Sequence, residues 1–285
     1  MGDNTAFARP GVFAQAMEQL RWLQPDLVLH VGDLIEGHSS DHDELRRQWR
    51  AIEAPVAKAG LPFVCAPGNH DVTTAAAREV WLERRGPRYG SFVHKDALFL
   101  VLDSERSQPE LRPVETGGLY AKIMEAMKTD EDRAMTMVKD MVAKLEAFGD
   151  LMAEIDHADY GEEQLAFVRD NLERHRDVRW TFVVTHKPAW KDRNPQFQQI
   201  QALLSDRRYT MFAGHTHRFE HQVIDGAEYI TMSTTGAIGH KGRPETMDHI
   251  MLVTLADKAP VLCNIRLSGL MDASLQTGHG PSLYA

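Results

Sequence analysis

Four stretches of this 285-residue chain place imidazole, amide or carboxylate side chains directly behind a short apolar run. Asp33 ends DLVLHVGD (26–33), and Asn69, His70 and Asp71 end LPFVCAPGNHD (61–71). His186 lies in WTFVVTHKP (180–188), while His215, Thr216 and His217 close YTMFAGHTH (209–217). A fifth run, ALFLVLDSE (97–105), carries weaker chemistry, and Asp3 stands in GDNT at the start. Such donors hold divalent cations, and a histidine paired with a carboxylate can move a proton near neutral pH. Singly, each motif reads as a turn. Their joint occurrence, in order and behind buried runs, carries the information.

The elements that must position these residues follow from the apolar pattern. The runs are rich in Val, Phe and Leu with little alternation, so they read as strands buried on both faces. Between them, GVFAQAMEQLRWLQ puts Val12, Ala16, Leu20 and Leu23 on one face, with Pro25 as a stop. DHDELRRQWRAIEAPVAKAG carries Leu45, Trp49, Ile52 and Val56 to Gly60, and GEEQLAFVRDNLERH aligns Leu165, Val168 and Leu172. Strands alternating with helices indicate an α/β protein, in which ligands bind beyond the carboxyl ends of the strands. After Thr231, EYITMSTTG reads as a strand and HIMLVTLADKAPVLCNIRLSG as a hairpin turning near ADKAP, before a polar tail.

Residues 105–160 break the pattern with six methionines (Met124, Met127, Met135, Met137, Met141 and Met152) and many charges. The spacing of Val138, Met141, Leu145, Phe148, Met152 and Ile155 predicts one long amphipathic helix from Thr129. Thr129 with Asp132 resembles a capping box, and Gly117 with Gly118 suggests a loop before it. This helical insertion can pack on its own core, act as a lid, or offer a surface for oligomerisation.

A net charge of −9 and pI near 5.9 argue against a general nucleic-acid-binding surface. Cys65 and Cys263 read as small buried hydrophobes. No apolar run approaches a membrane span and no secretory signal opens the chain, so as given it reads as soluble and cytoplasmic.

The ordered set GD, GNHD, H and GHTH resembles the calcineurin-like metallophosphoesterase superfamily, over roughly residues 1–104 and 160–255. The resemblance implies two packed mixed β-sheets flanked by helices, in a single domain of residues 1–285 with a helical insertion at about 105–160. It also implies hydrolysis of a phosphate-ester substrate, mono- or diester, with two divalent metal ions (Mn, Fe or Zn) activating a bridging water. In that reading Asp33 bridges the ions, Asp3 and His217 complete the first site, and Asn69, His186 and His215 complete the second. His70 protonates the leaving group and Asp71 orients it. A scaffold of the same fold with weakened catalysis is the alternative. GNHD is less like the GNHE of protein Ser/Thr phosphatases, which ranks phosphoproteins lower.

Two departures stand out. Thr5 takes the place of the family's usual first-motif histidine, and the first strand is apparently missing before Gly2, as in a truncated chain whose lost segment could have carried a secretion signal. Outside the motifs, His30 reads as a core residue, and His38, His42, His94, His157, His175 and His221 read as surface residues. Arg9, Arg218, His240 and His249 are candidates for the pocket edge.

Overall fold

A computed structural model describes residues 1–107, 113–145, 155–239 and 245–270. Ten strands lie in these segments: β1 (Val28–His30), β2 (Phe63–Cys65), β3 (Gly90–His94), β4 (Ala97–Val101), β5 (Trp180–Val184), β6 (Tyr209–Ala213), β7 (Glu220–Ile224), β8 (Ala227–Thr231), β9 (His249–Leu255) and β10 (Pro260–Arg266). The main sheet has six strands in the order β3-β4-β5-β6-β8-β7. Its central β4, β5, β6 and β8 are parallel, while β3 and β7 add antiparallel edges. The fully buried β4, β5 and β6 are the continuous apolar runs of the sequence.

A second layer packs against this sheet. It consists of the parallel pair β1-β2 and the antiparallel hairpin β9-β10. Phe99, Phe182, Phe212 and Ile230 from the main sheet meet Val31, Leu29, Met251 and Val253 between the layers. Helices α1 (Val12–Leu23), α2 (His42–Ala59) and α3 (Ala75–Arg85) cover the outer face of the second layer through Met17, Leu45, Trp49 and Trp81. Helices α6 (Gly161–Arg174) and α7 (Pro195–Leu204) cover the main sheet through Leu165, Val168, Phe197 and Ile200. The result is a helix–sheet–sheet–helix sandwich.

The helix limits follow from local chemistry. Asp41 caps α2 by accepting from Asp43 N and Glu44 N, and Gly60 closes it at φ 68°. Gln24 ends α1 in the left-handed region, ahead of Pro25. Asn194 caps α7, whose first residue is Pro195.

Residues 1–3 tie the halves of the second layer together. Met1 N donates to Leu29 O at 2.7 Å and Val31 N donates to Met1 O at 3.2 Å, which is a parallel pairing beside β1. Asp3 bridges Thr234, and Thr234 bridges Asp248 at the start of β9. Behind Met1 the layer opens into a slot of about 480 Å³. Phe99, Phe182 and Phe212 form its floor and Leu20 and Leu23 its roof. By strand alternation, the backbone edges of Leu27, just ahead of β1, of Leu29 on β1, and of Met251, Val253 and Leu255 on β9 face into it.

The insertion differs from the expected single helix. Its described residues include two antiparallel-packed helices, α4 (Pro113–Thr129) and α5 (Glu131–Leu145), so Gly117 and Gly118 are helical. Asp130 breaks the run and caps α5 by accepting from Arg133 N at 3.0 Å, in place of the Thr129–Asp132 box. Ile123, Met127, Ala134 and Val138 form a small core with Phe7. Phe148, Met152, His240 and the polar tail lie outside the described residues. Among the described residues no helix is long and apolar enough to cross a membrane. Cys65 is half-buried, and Cys263 is exposed because alternation along β10 turns it outward.

Candidate metal centre

The motif loops converge where the strands end. Gly32 at φ 103° and Asp33 at φ 59° turn the chain sharply after β1, and His215 and His217 both lie in the left-handed region after β6, at φ 69° and 54°. Two residues apart on a strand, these imidazoles would point to opposite faces. The left-handed turns let both serve one centre, and backbone strain of this kind collects at functional sites.

Asp71 builds the Asp33 loop. Its buried carboxylate accepts from the backbone N–H of Asp33, Leu34, Ile35 and Gly68 at 2.8–3.0 Å. Burial and the neighbouring Asp33 charge push its carboxyl up to about 7, against the pull of those N–H groups. Asp71 therefore does not hold the His70 ring as expected. His70 Nδ1 donates instead to the backbone carbonyl of Glu36 at 3.2 Å, while His70 N donates to Asp33 Oδ1 at 2.9 Å.

The remaining residues surround Asp33. His186 Nδ1 donates to Val31 O at 2.9 Å, which turns Nε2 to Asn69 Oδ1 at 3.0 Å and Asp33 Oδ2 at 3.3 Å. His217 Nδ1 donates to Ile238 O at 2.8 Å, so its Nε2 faces Asp3 Oδ2 at 3.3 Å. His215 Nδ1 lies 2.9 Å from Asn69 Oδ1, and its Nε2 reaches Asp156 Oδ1 at 2.9 Å. Each imidazole anchors one nitrogen to an oxygen acceptor and presents the other to a carboxylate or amide oxygen. This is the arrangement by which outer partners orient metal-ligating histidines.

Charge supports the same use. Burial opposes a charged His186, yet the Asp33 carboxylate raises its imidazole to about 10. Burial would likewise raise Asp33, but His186, His70 and His215 hold it well below the ordinary carboxylate range.

The residues fit a cation. Asp3, Asp33 and His186 bring ligand atoms within 4.8 Å of one another. Asp3 Oδ1 is buried without a hydrogen-bond partner among the described residues, as is Thr5 Oγ1. No thiolate contributes, and mixed oxygen and imidazole donors suit a borderline divalent ion. A Cβ at Gly68 would stand 2.2 Å from Asp33 Oδ1, and one at Gly214 would stand 2.1 Å from Asp3 Oδ1. Glycine is required at both positions for the loops to approach.

Several residues differ from their sequence reading. Arg9 is a structural residue, ion-paired with Asp248 and bonded to the carbonyls of Gly236 and Ala237. His249 is fully buried, accepting from Ser233 N and bonded to Asn264 Oδ1. His30 is buried in the core, as expected. His38 lies beside the site: its ring meets His70 edge-on at 4.8 Å, and Tyr120 of α4 lies 5.2 Å away. Burial and then the His70 charge lower His38 to about 3. Nothing local in the sequence marks Tyr120, Glu36 or Asp156 as neighbours of the motifs.

The carboxylate–imidazole cluster at the strand ends of this sandwich suits a hydrolase that works with divalent cations. Residues 2–219 match the calcineurin-like phosphoesterase family, and the chain belongs to it. It is thus a phosphoester hydrolase that works with divalent metal. Among solved structures it is similar to a dimetal phosphatase from Danio rerio, at 15% identity over 79% of each chain with TM-score 0.55. It is also similar to the purple acid phosphatase PPD1 of yellow lupin (Lupinus luteus), at 13% identity over 92% of this chain and 48% of that one, TM-score 0.55. GAP50, the anchor in the inner membrane complex of Plasmodium, matches at 13% identity over 93% and 81%, TM-score 0.50. At these identities the likeness is one of fold. No curated protein matches the chain.

Proposed function

We propose that this chain hydrolyses phosphate mono- or diesters at a site for two divalent ions (Mn, Fe or Zn), with Asp33 shared between them. Asp3 and His217 complete one set of ligands, and Asn69, His186 and His215 complete the other. The orientation of the three imidazoles carries the reading, since each is locked with its free nitrogen toward an Asp or Asn oxygen. Two ions bound there would supply an acidified water nucleophile and neutralise the phosphoryl oxygens.

The chain's own residues do the rest. Asp71 fixes the backbone of residues 33–35 and so the Asp33 carboxylate. With Nδ1 bonded to Glu36 O, His70 has Nε2 left to carry a proton to the leaving oxygen. His38 and Tyr120 wall that side and limit water there. In this reading residues 1–285 act as one domain, and the insertion at about 105–160 supplies part of the wall.

The test is metal analysis together with hydrolysis of p-nitrophenyl phosphate and bis-p-nitrophenyl phosphate. The expected result is two ions per chain, with turnover lost to a chelator and restored by added Mn or Zn. Asp33→Asn should lose turnover and metal together. Retention of two ions and near-normal rates by Asp33→Asn would overturn the assignment. A metal-poor wild type without turnover would favour the scaffold alternative.

A further inference from the structure

The motifs account for all three imidazoles but not for the group that locks His215. That group comes from the end of the insertion. Asp156 reaches back to the site and places Oδ1 2.9 Å from His215 Nε2.

The placement is built, because the segment carrying Asp156 is clamped on three sides. Lys187, directly after His186, is buried and donates to His157 O at 2.8 Å. Its ammonium also pairs with buried Glu105 at 2.7 Å, and Ser104 Oγ donates to the same carboxylate at 2.6 Å. Asn194, the α7 cap, donates to Ala158 O at 2.7 Å. Asp159 N donates to Ser104 O at 2.9 Å, joining the segment to the exit of β4. A buried lysine is costly unless paired and hydrogen-bonded. Here the pair lies under a stretch of the insertion that touches a candidate ligand.

We propose that Asp156 is a positioning residue: its carboxylate accepts the Nε2–H of His215, which leaves Nδ1 as the lone-pair nitrogen beside Asn69 Oδ1 for the second ion. The role follows from imidazole chemistry. A neutral ring has one donor and one acceptor nitrogen, so an acceptor at Nε2 selects the tautomer with Nδ1 free. The inference rests on the two-ion reading and extends it to a residue outside every motif.

The experiment titrates demetallated full-length chain with Co²⁺, following the visible absorption of each bound ion. Wild type should take up two ions. Asp156→Ala should bind the second ion about 10–100-fold more weakly with the first unchanged. Asp156→Asn, whose amide oxygen can still accept the Nε2–H hydrogen bond, should recover most of that loss. The Asp156 side chain is 59% exposed, so melting temperatures should match across the series. Unchanged second-ion affinity in Asp156→Ala, with wild type binding two, overturns this inference alone. Parallel loss of both ions and of melting temperature would mark a structural clamp and also overturn it. A wild type that binds fewer than two ions overturns the two-ion reading, and this role with it.

Discussion

Asp3 Oδ2 accepts the backbone N–H of His215 at 2.7 Å. The first motif of the chain therefore shapes the loop of the last. Asp3 itself is fixed through both backbone groups, by Ser233 O, Thr235 N and Ala237 N. Asp3→Asn keeps an oxygen for His215 N–H but loses the charge, so it should bind metal poorly while unfolding near wild type. Asp3→Ala also strands a buried N–H, at about 1–3 kcal/mol. Denaturant melts alongside metal analysis will separate the two. Equal metal content in wild type and Asp3→Asn would remove Asp3 from the ligand set.

His70 should separate chemistry from binding. His70→Asn is expected to keep its metal and lose roughly 10²–10⁴ in rate on alkyl phosphate esters. An activated aryl ester needs little protonation of its leaving group and should lose far less. Equal losses on both substrates would deny His70 the acid role.

His249 makes stability depend on pH. Burial lowers its imidazole to about 4, against the ordinary 6.5, despite the bond to Asn264. Its folded pKa lies below its unfolded one, so its contribution is present above about 6.5 and is lost as pH falls toward 4. The change amounts to at most about 3 kcal/mol. His249→Gln, whose side-chain oxygen can still accept from Ser233 N, should flatten the fall in unfolding free energy between pH 6.5 and 4. A wild-type slope retained in the variant would assign that fall to other groups.

The slot behind Met1 should accept a strand. The Met1 amine is buried, which lowers it to about 5, and it already occupies the position of a peptide N–H against Leu29 O. Five or six β-branched apolar residues fused ahead of Met1 should pair with β1 and β9 and bury the phenylalanine floor. A gain of several degrees in melting temperature is expected, since about 1 kcal/mol shifts a protein of this size by some 2–4 °C. A Gly/Ser segment of equal length is the control, and equal melting points would mean the slot does not take a strand.

What the sequence could reveal depended on burial and on locality. β4, β5 and β6 were legible because strands buried on both faces read as unbroken apolar runs. β3 (GSFVH) and β7 (EHQVI) are sheet edges with polar residues, and no run marks them. The convergence of the candidate ligands was legible because each closes a motif. The orienting groups were not, because Glu36 acts through a backbone carbonyl and Asp156 arrives from another element. His38 read as a surface residue because nothing beside it signals that Tyr120 will cover it. Helix α4 was missed because Gly117 and Gly118 read as a loop.

The close approach of Gly68 to Asp33 and of Gly214 to Asp3 bears on inheritance as well as on chemistry. Neither glycine touches a reacting atom, yet even an alanine at either would collide with a carboxylate. In an exhaustive substitution screen scored by growth on a phosphate ester, these two codons should tolerate as little change as those of the proposed ligands. A reader of such a map would take them for catalytic positions, although what selection guards there is the lack of a side chain.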